Sequence, residues 1–236
     1  MKSILLVLTS HAELGDTGRG TGFHAPEAAR AHRMLTGAGY RVDFASVQGG
    51  DPPRDGAEAG DPVAVAFLRD HAGALAGTAA PGSLNAADYA AIFYIGGHGA
   101  MWDFPDSADL AALASGIYQA GGVIGAVCHG QAGLVNLQLD DGRYLVSGKR
   151  LTSFTNAEEA DVGMSAVVPF SLQDQLTERG AHFTGMRQFA DHSITDGRLV
   201  TGQNPSSGAS AASQVVRALA RNWGLGRGRP GRHARR

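Results

Sequence analysis

The chain has a single cysteine, Cys128, among its 236 residues. An internal disulfide is therefore excluded, and so is any metal site built from several cysteines. Charge of one dominant sign is also missing. The 20 basic and 22 acidic residues nearly cancel, so no global field draws the chain to nucleic acid or to an anionic membrane. No apolar run approaches the roughly eighteen residues that a membrane span needs. The opening "MKSILLVLTSHAE" contains only the short stretch "ILLVL", less than a signal-peptide core, and no small-residue cleavage site follows. These absences lead to the expectation of a cytoplasmic protein with no membrane or nucleic-acid partner.

Glycine is plentiful, at 34 residues, and alanine is abundant beside it. That composition suits close helix–sheet packing and tight loops. The length suffices to bury one full core. Short apolar segments recur at even spacing, and "ILLVLT" (4–9), "RVDFAS" (41–46), "AAIFYIGG" (90–97) and "GVIGAVC" (122–128) read as strands. Between them, "PEAARAHRMLTGAG" (26–39) and "DSADLAALASGIYQAGG" (106–122) read as helices, the second capped by Asp106 or Ser107. Later, "VPFSLQDQLTERGAHF" reads as a helix entering a strand, "HSITDGRLVTG" as a hairpin around "DG", and 207–223 as a closing helix. Residues 49–62 read as a turn-rich surface loop. Strands alternating with helices predict an α/β sandwich around a mostly parallel sheet. One domain is expected over 1–223. The tail 224–236 belongs to a segment with six arginines from Arg221 onward and no acid, which predicts a disordered extension.

Cys128 stands where "GVIGAVC" ends and "HGQAGLVNL" turns toward a helix. Ligands of parallel α/β sheets sit at the carboxyl ends of strands, and a strand–turn–helix junction is the geometry of a nucleophile elbow. A helix N-terminus there would favour the thiolate. Taken alone, a lone cysteine is more often a small buried hydrophobe than a nucleophile; the elbow context reverses that preference. A second glycine-rich turn, "YIGGHGAMWDFP" (94–105), follows another predicted strand. Backbone N–H groups of Gly97 or His98, with that of His129, would suit an oxyanion hole.

The segments "AVCHG", "GGHGAMWDFP" and "GTGFHAPEAARAHRMLTGAGYRVDFASVQGGDPP" together resemble the PfpI-like superfamily of class I glutamine amidotransferase-like folds. "KRLTSFTNAEEADVG" and "HSITDGRLVTGQNPSS" are similar to its heat-shock chaperone and glyoxalase III branch, so the resemblance spans roughly residues 3–220. It implies a flavodoxin-like three-layer sandwich and a Cys–His–acid site. Carried over by motif, the cysteine is Cys128, the histidine His129 and the glutamate after "TG" is Glu27. The acid after "FT" is Glu159, with Glu158 one register away. The H-x-E pair of true glutamine amidotransferases is missing, since "DHS" (191–193) lacks the acid.

The same resemblance implies a lyase of the D-lactate dehydratase type. A Cys128 hemithioacetal would convert methylglyoxal to lactate without glutathione, cofactor or metal. Glu27 beside Cys128 would be the protonated partner of a thiolate, because two adjacent anions are unfavourable; away from it, Glu27 would only complement a helix dipole. His129 equally suits a surface histidine, and Glu158 and Glu159 a solvated helix start. His98, Trp102 and Phe104 are expected to line the pocket, and the loop "HAELGDTGRGTGF" to cover it. A small 2-oxoaldehyde substrate and a homodimer complete the expectation. A deglycase, a holdase and a cysteine amidase or peptidase stand as alternatives within the superfamily.

Overall fold

The computed structural model describes residues 2–56 and 60–225, with side chains through residue 221. The arginine-rich tail from residue 226 lies outside the described residues. In chain order the elements are β1 (Ser3–Leu8), β2 (Phe23–His24), α1 (Ala25–Gly37), β3 (Val42–Ser46), β4 (Arg54–Asp55), α2 (Pro62–Asp70) and α3 (Ala72–Ala76). They continue with β5 (Tyr89–Tyr94), α4 (Ala100–Asp103), α5 (Ala108–Gln119), β6 (Val123–Val127), β7 (Arg150–Leu151) and α6 (Asn156–Asp161). Last come α7 (Leu172–Glu178), β8 (His182–Phe183), β9 (Ser193–Asp196), β10 (Leu199–Gly202) and α8 (Gly208–Leu225).

Six strands form the main sheet in the order β3-β1-β5-β6-β10-β9. All pairs are parallel except β10 with β9, the hairpin expected around "DG", where Gly197 takes the left-handed conformation. The interior strands are buried along their whole length and mostly apolar because both faces are covered. Along β1, Ile4, Leu6 and Leu8 point into one apolar layer with α1, α2 and α8, while Leu5 and Val7 point into the opposite layer with α5. The result is the three-layer α/β sandwich expected from the alternation.

The helix ends follow ordinary chemistry. Pro26 sits in the first turn of α1, where its missing N–H costs nothing. The Ser107 side chain accepts from the Leu110 N–H, which identifies it as the cap of α5. Two segments depart from the sequence reading. The strand after α7 is only β8, paired with β7 in a separate two-stranded ribbon. Residues 49–62 are not merely a surface loop, since Arg54–Asp55 forms β4 alongside β2. Gly22 permits this approach: a Cβ there would lie 2.2 Å from the Pro53 carbonyl oxygen.

The sheet order places the ends of β5 and β6 next to each other. The "GGHG" turn and Cys128 therefore emerge side by side at the carboxyl edge, the usual ligand position in such sheets.

Candidate active site

Cys128 directly follows β6 with φ of 61°, one of two non-glycine residues in the left-handed region among those described. That conformation costs a non-glycine residue about 1–3 kcal/mol and persists only when the surroundings impose it. Here they do. The Cys128 carbonyl accepts from the Phe154 N–H, and the Gln131 side chain donates to the Thr152 and Gly202 carbonyls at 2.9 and 2.7 Å. Gly130 lets the turn lie against β5, where a Cβ would come within 2.5 Å of the Tyr94 carbonyl oxygen. The expected elbow is present, followed by a 3-10 turn over Cys128–Leu134.

Glu27 reaches the elbow from the first turn of α1 and has no exposed surface. Its Oε2 accepts from the Gly96 N–H at 3.0 Å. Gly96 is needed there: a Cβ would lie 2.5 Å from Glu27 Oε2 and 2.7 Å from the Cys128 Cβ. Burial raises the Glu27 pKa to about 8, against the lowering influence of the Cys128 and Gly96 hydrogen bonds. Burial also pushes the Cys128 thiol up, and a charged Glu27 beside it pushes further in the same direction. The expectation that a helix N-terminus favours the thiolate is therefore corrected. Cys128 is 3% exposed, and loss of water outweighs the dipole of so short a turn. Burial thus favours the proton on both groups, and the reactive form is reached when the pair loses one of its two protons, leaving neutral Glu27 with thiolate or thiol with carboxylate.

On the other side of Cys128 lies His129. Its Nδ1 is 3.3 Å from the Cys128 sulfur, and its Nε2 is 2.8 Å from Glu159 Oε2. The carboxylate accepts a hydrogen bond from the Nε2–H, which leaves the Nδ1 lone pair facing the sulfur. Burial and the nearby His98 lower the His129 pKa, so the ring is neutral, although Glu159 works in the opposite direction. Glu159 Oε1 is also 2.9 Å from His98 Nε2. Burial opposes ionisation of Glu159, yet the hydrogen bonds from His129 and His98 bring its pKa down to about 2. The His129 ring further lies 4.5 Å from the Phe154 ring, centroid to centroid.

The capping box of α6 selects Glu159 over Glu158. Thr155 caps the helix, and Glu158 returns its Oε2 to the Thr155 N–H. Glu158 Oε1 accepts from the Phe189 N–H and from the Gln203 and Asn204 side chains. It is thus a buried scaffold carboxylate, and the next residue turns toward His129.

A cavity of about 250 Å³ opens over these groups. Cys128, Glu27, His98, His129, Gly97 and Phe154 contribute to its wall, as do His24, Asp55, Val162 and Phe189. His24, Asp55, Val162 and Phe189 were not singled out from sequence. His24 lies inside the quoted "TGFHAPE", three residues before Glu27, and that helical spacing was the available signal. Asp55 had none, since only β4 pairing with β2 brings it in. Trp102 and Phe104 do not line the cavity: Phe104 is buried in the opposite apolar layer, and Trp102 packs there while stacking on His11 at 5.0 Å. The loop 11–23, expected as a cover, contributes no lining residue and packs beneath the "GGHG" turn instead. His98, His129 and Glu159 bring three donor atoms within 4.8 Å of one another, a set that could accept a divalent cation.

The model of the DJ-1/PfpI family matches residues 20–218. The chain belongs to that family. Among its DJ-1/PfpI relatives, the glutathione-independent glyoxalase HSP31 of Saccharomyces cerevisiae is 35% identical over 92% of this chain and 98% of its own length. The structure of the 24 kDa rapid encystment protein of Francisella tularensis superposes with a TM-score of 0.89 at 34% identity, covering 93% of this chain and 99% of that one. Glyoxalase III of Candida albicans superposes with a TM-score of 0.83 at 30% identity, covering 92% and 97%.

Proposed function

We propose that this DJ-1/PfpI protein is a glutathione-independent glyoxalase that converts methylglyoxal, or a similar small 2-oxoaldehyde, to the 2-hydroxy acid. The observation that carries the reading is the buried Glu27 carboxyl set beside Cys128 at the Gly96 turn, with the neutral face of His129 on the far side of the sulfur. Relatives named as glyoxalases support it. The cavity of about 250 Å³ is suited to a small carbonyl compound, below the usual size of a drug-sized pocket.

The chemistry follows from who holds the proton. With it on Glu27, the Cys128 thiolate adds to the aldehyde carbon, C1. The C–S bond forms, the carbonyl pair moves to oxygen, and that oxygen takes the Glu27 proton to give a hemithioacetal. Glu27, now a carboxylate, removes the hydrogen from C1, and the electron pair enters an enediol between C1 and C2. His129 Nδ1 carries the hydroxyl proton from the first oxygen to the second. Glu27 returns its proton to C2, which leaves a thioester next to a hydroxyl-bearing carbon. Water adds its hydroxyl to C1, the C–S bond breaks, the water proton returns to the Cys128–Glu27 pair, and the new carboxyl group loses its own proton to solvent as lactate leaves. The N–H groups of Gly97 and His98 lie at the turn where a developing oxyanion needs donors.

Cytoplasmic placement and a homodimer belong to the same reading. Among the described residues no helix is long and apolar enough to cross a membrane. The deciding experiment is lactate formation from methylglyoxal by purified protein without glutathione, for the wild type and Cys128→Ala. Turnover in the wild type and its loss in the variant are expected. No turnover by a reduced, folded wild type would overturn the assignment.

A further inference from the structure

Glu27 Oε1 and His24 Nδ1 face each other at 3.4 Å across the first turn of α1. Each is a buried polar atom with no hydrogen-bond partner in this structure. Such atoms are costly to leave unsatisfied and are uncommon in a well-packed interior. Glu27 itself has no contact with water, whereas a quarter of the His24 side chain is exposed. His24 is paired in register with Asp55 of β4, an exposed carboxylate, and both line the cavity. Gly56 closes over the ring so tightly that a Cβ would lie 2.9 Å from His24 Nε2. Glu27 Oε2 is held by the Gly96 N–H, and the polar group that faces Oε1 is the His24 ring, which reaches the rim of the cavity.

We propose that His24 is a proton relay acting through Glu27, connecting its buried carboxyl to the Asp55 rim and to water, so that the hydrogen delivered to C2 of the product comes from solvent. The inference rests on the glyoxalase reading. In the exchange step Glu27 passes its proton to His24 Nδ1 while Nε2 releases one to Asp55 or to adjacent water. The reverse movement returns a solvent hydrogen to Glu27, and no net charge is moved. A neutral ring is needed for this two-way traffic. Burial supplies it by lowering the His24 pKa to about 4, with Arg30, His129 and His98 acting in the same direction and Asp55 against.

The test is the origin of the hydrogen at C2 of lactate, read by NMR after turnover of methylglyoxal in D₂O. Wild type is expected to place deuterium at C2. His24→Phe is expected to cut that fraction at least about fivefold, because Glu27 then returns the hydrogen it removed from C1. His24→Gln, which fills the space without a two-ended ring, should behave like His24→Phe, and Asp55→Asn should give an intermediate fraction. The isotope ratio does not depend on how much of the protein is active, so a partly unfolded variant still reports. Methylglyoxal deuterated at C1, turned over in H₂O, gives the mirror result. Lactate with the same deuterium content in wild type and both His24 variants would overturn the relay, as would a wild type that fully retains the C1 hydrogen. Absence of lactate from the wild type would instead overturn the glyoxalase reading, and the relay with it.

Discussion

A carboxyl group with no solvent contact makes Glu27 both a catalytic asset and a thermodynamic burden. Its pKa is about 8 in the native protein, against about 4.3 for an unperturbed glutamate. Between those values the native state holds a proton that the unfolded chain has released, so stability falls as pH rises through this window. Glu27→Gln keeps an acceptor for the Gly96 N–H and removes the burden. We expect it to be more stable than the wild type at pH 7 by about 1–3 kcal/mol, with the difference vanishing near pH 4; urea denaturation at the two pH values checks this. Turnover by Glu27→Gln should be lost, since the amide cannot remove the C1 hydrogen.

Glu159 has the opposite sign. Its native pKa of about 2 means that its contribution is present above the unfolded value of about 4.3 and is lost as pH falls toward 2. Glu159→Gln frees the His129 ring and is expected to lower kcat by about 10–100-fold with little change in KM. Steady-state kinetics across a pH series decide it, and an unchanged kcat would remove Glu159 from the site. Glu158→Gln should instead lower the melting temperature more than kcat, because its carboxylate serves the Thr155 cap and the Phe189, Gln203 and Asn204 donors.

At the scale of elements, the site is a meeting of four chain turns that need close approach more than they need side chains. The elbow after β6, the "GGHG" turn after β5, the first turn of α1 and the first turn of α6 converge within hydrogen-bond reach. Gly96 sits at their centre. Gly96→Ala is expected to push Glu27 from Cys128, destabilise the fold by about 1–3 kcal/mol through overpacking, and abolish turnover. Thermal denaturation and iodoacetamide labelling of Cys128 would show whether the thiol has lost its partner. Thr155→Ala removes the cap that aims Glu159 and should cost about 1 kcal/mol together with a fall in kcat. A loss of stability with kcat intact would mean that α6 holds its direction without the capping box.

At the scale of the whole molecule, the sheet is the device that brings distant segments to one edge. The cavity lining among the described residues runs from His24 to Pro205, so the site draws on nearly the entire domain. A chain ending at residue 225 is expected to turn over methylglyoxal as the full chain does, and direct comparison of kcat/KM checks this. Light scattering should give twice the 24.4 kDa chain mass if the homodimer forms.

The amino-acid sequence by itself determined the strand and helix alternation, the elbow at Cys128 and the glycine turn beside it. These depend on hydrophobic periodicity, caps and turn residues, which act between near neighbours in the chain. β4 was missed because its two residues carry no periodic signal and exist only by pairing with β2. Glu27, His129 and Glu159 were legible through motif resemblance, but the choice between Glu158 and Glu159 rested on a capping geometry that spacing does not encode. Only the tertiary structure decided that the thiol is buried, that His24 faces Glu27 while Asp55 closes the rim, and that Trp102 and Phe104 belong elsewhere. Burial and the pKa values that follow from it depend on what covers a residue from distant parts of the chain. Solvent exclusion is a property of the assembled sandwich.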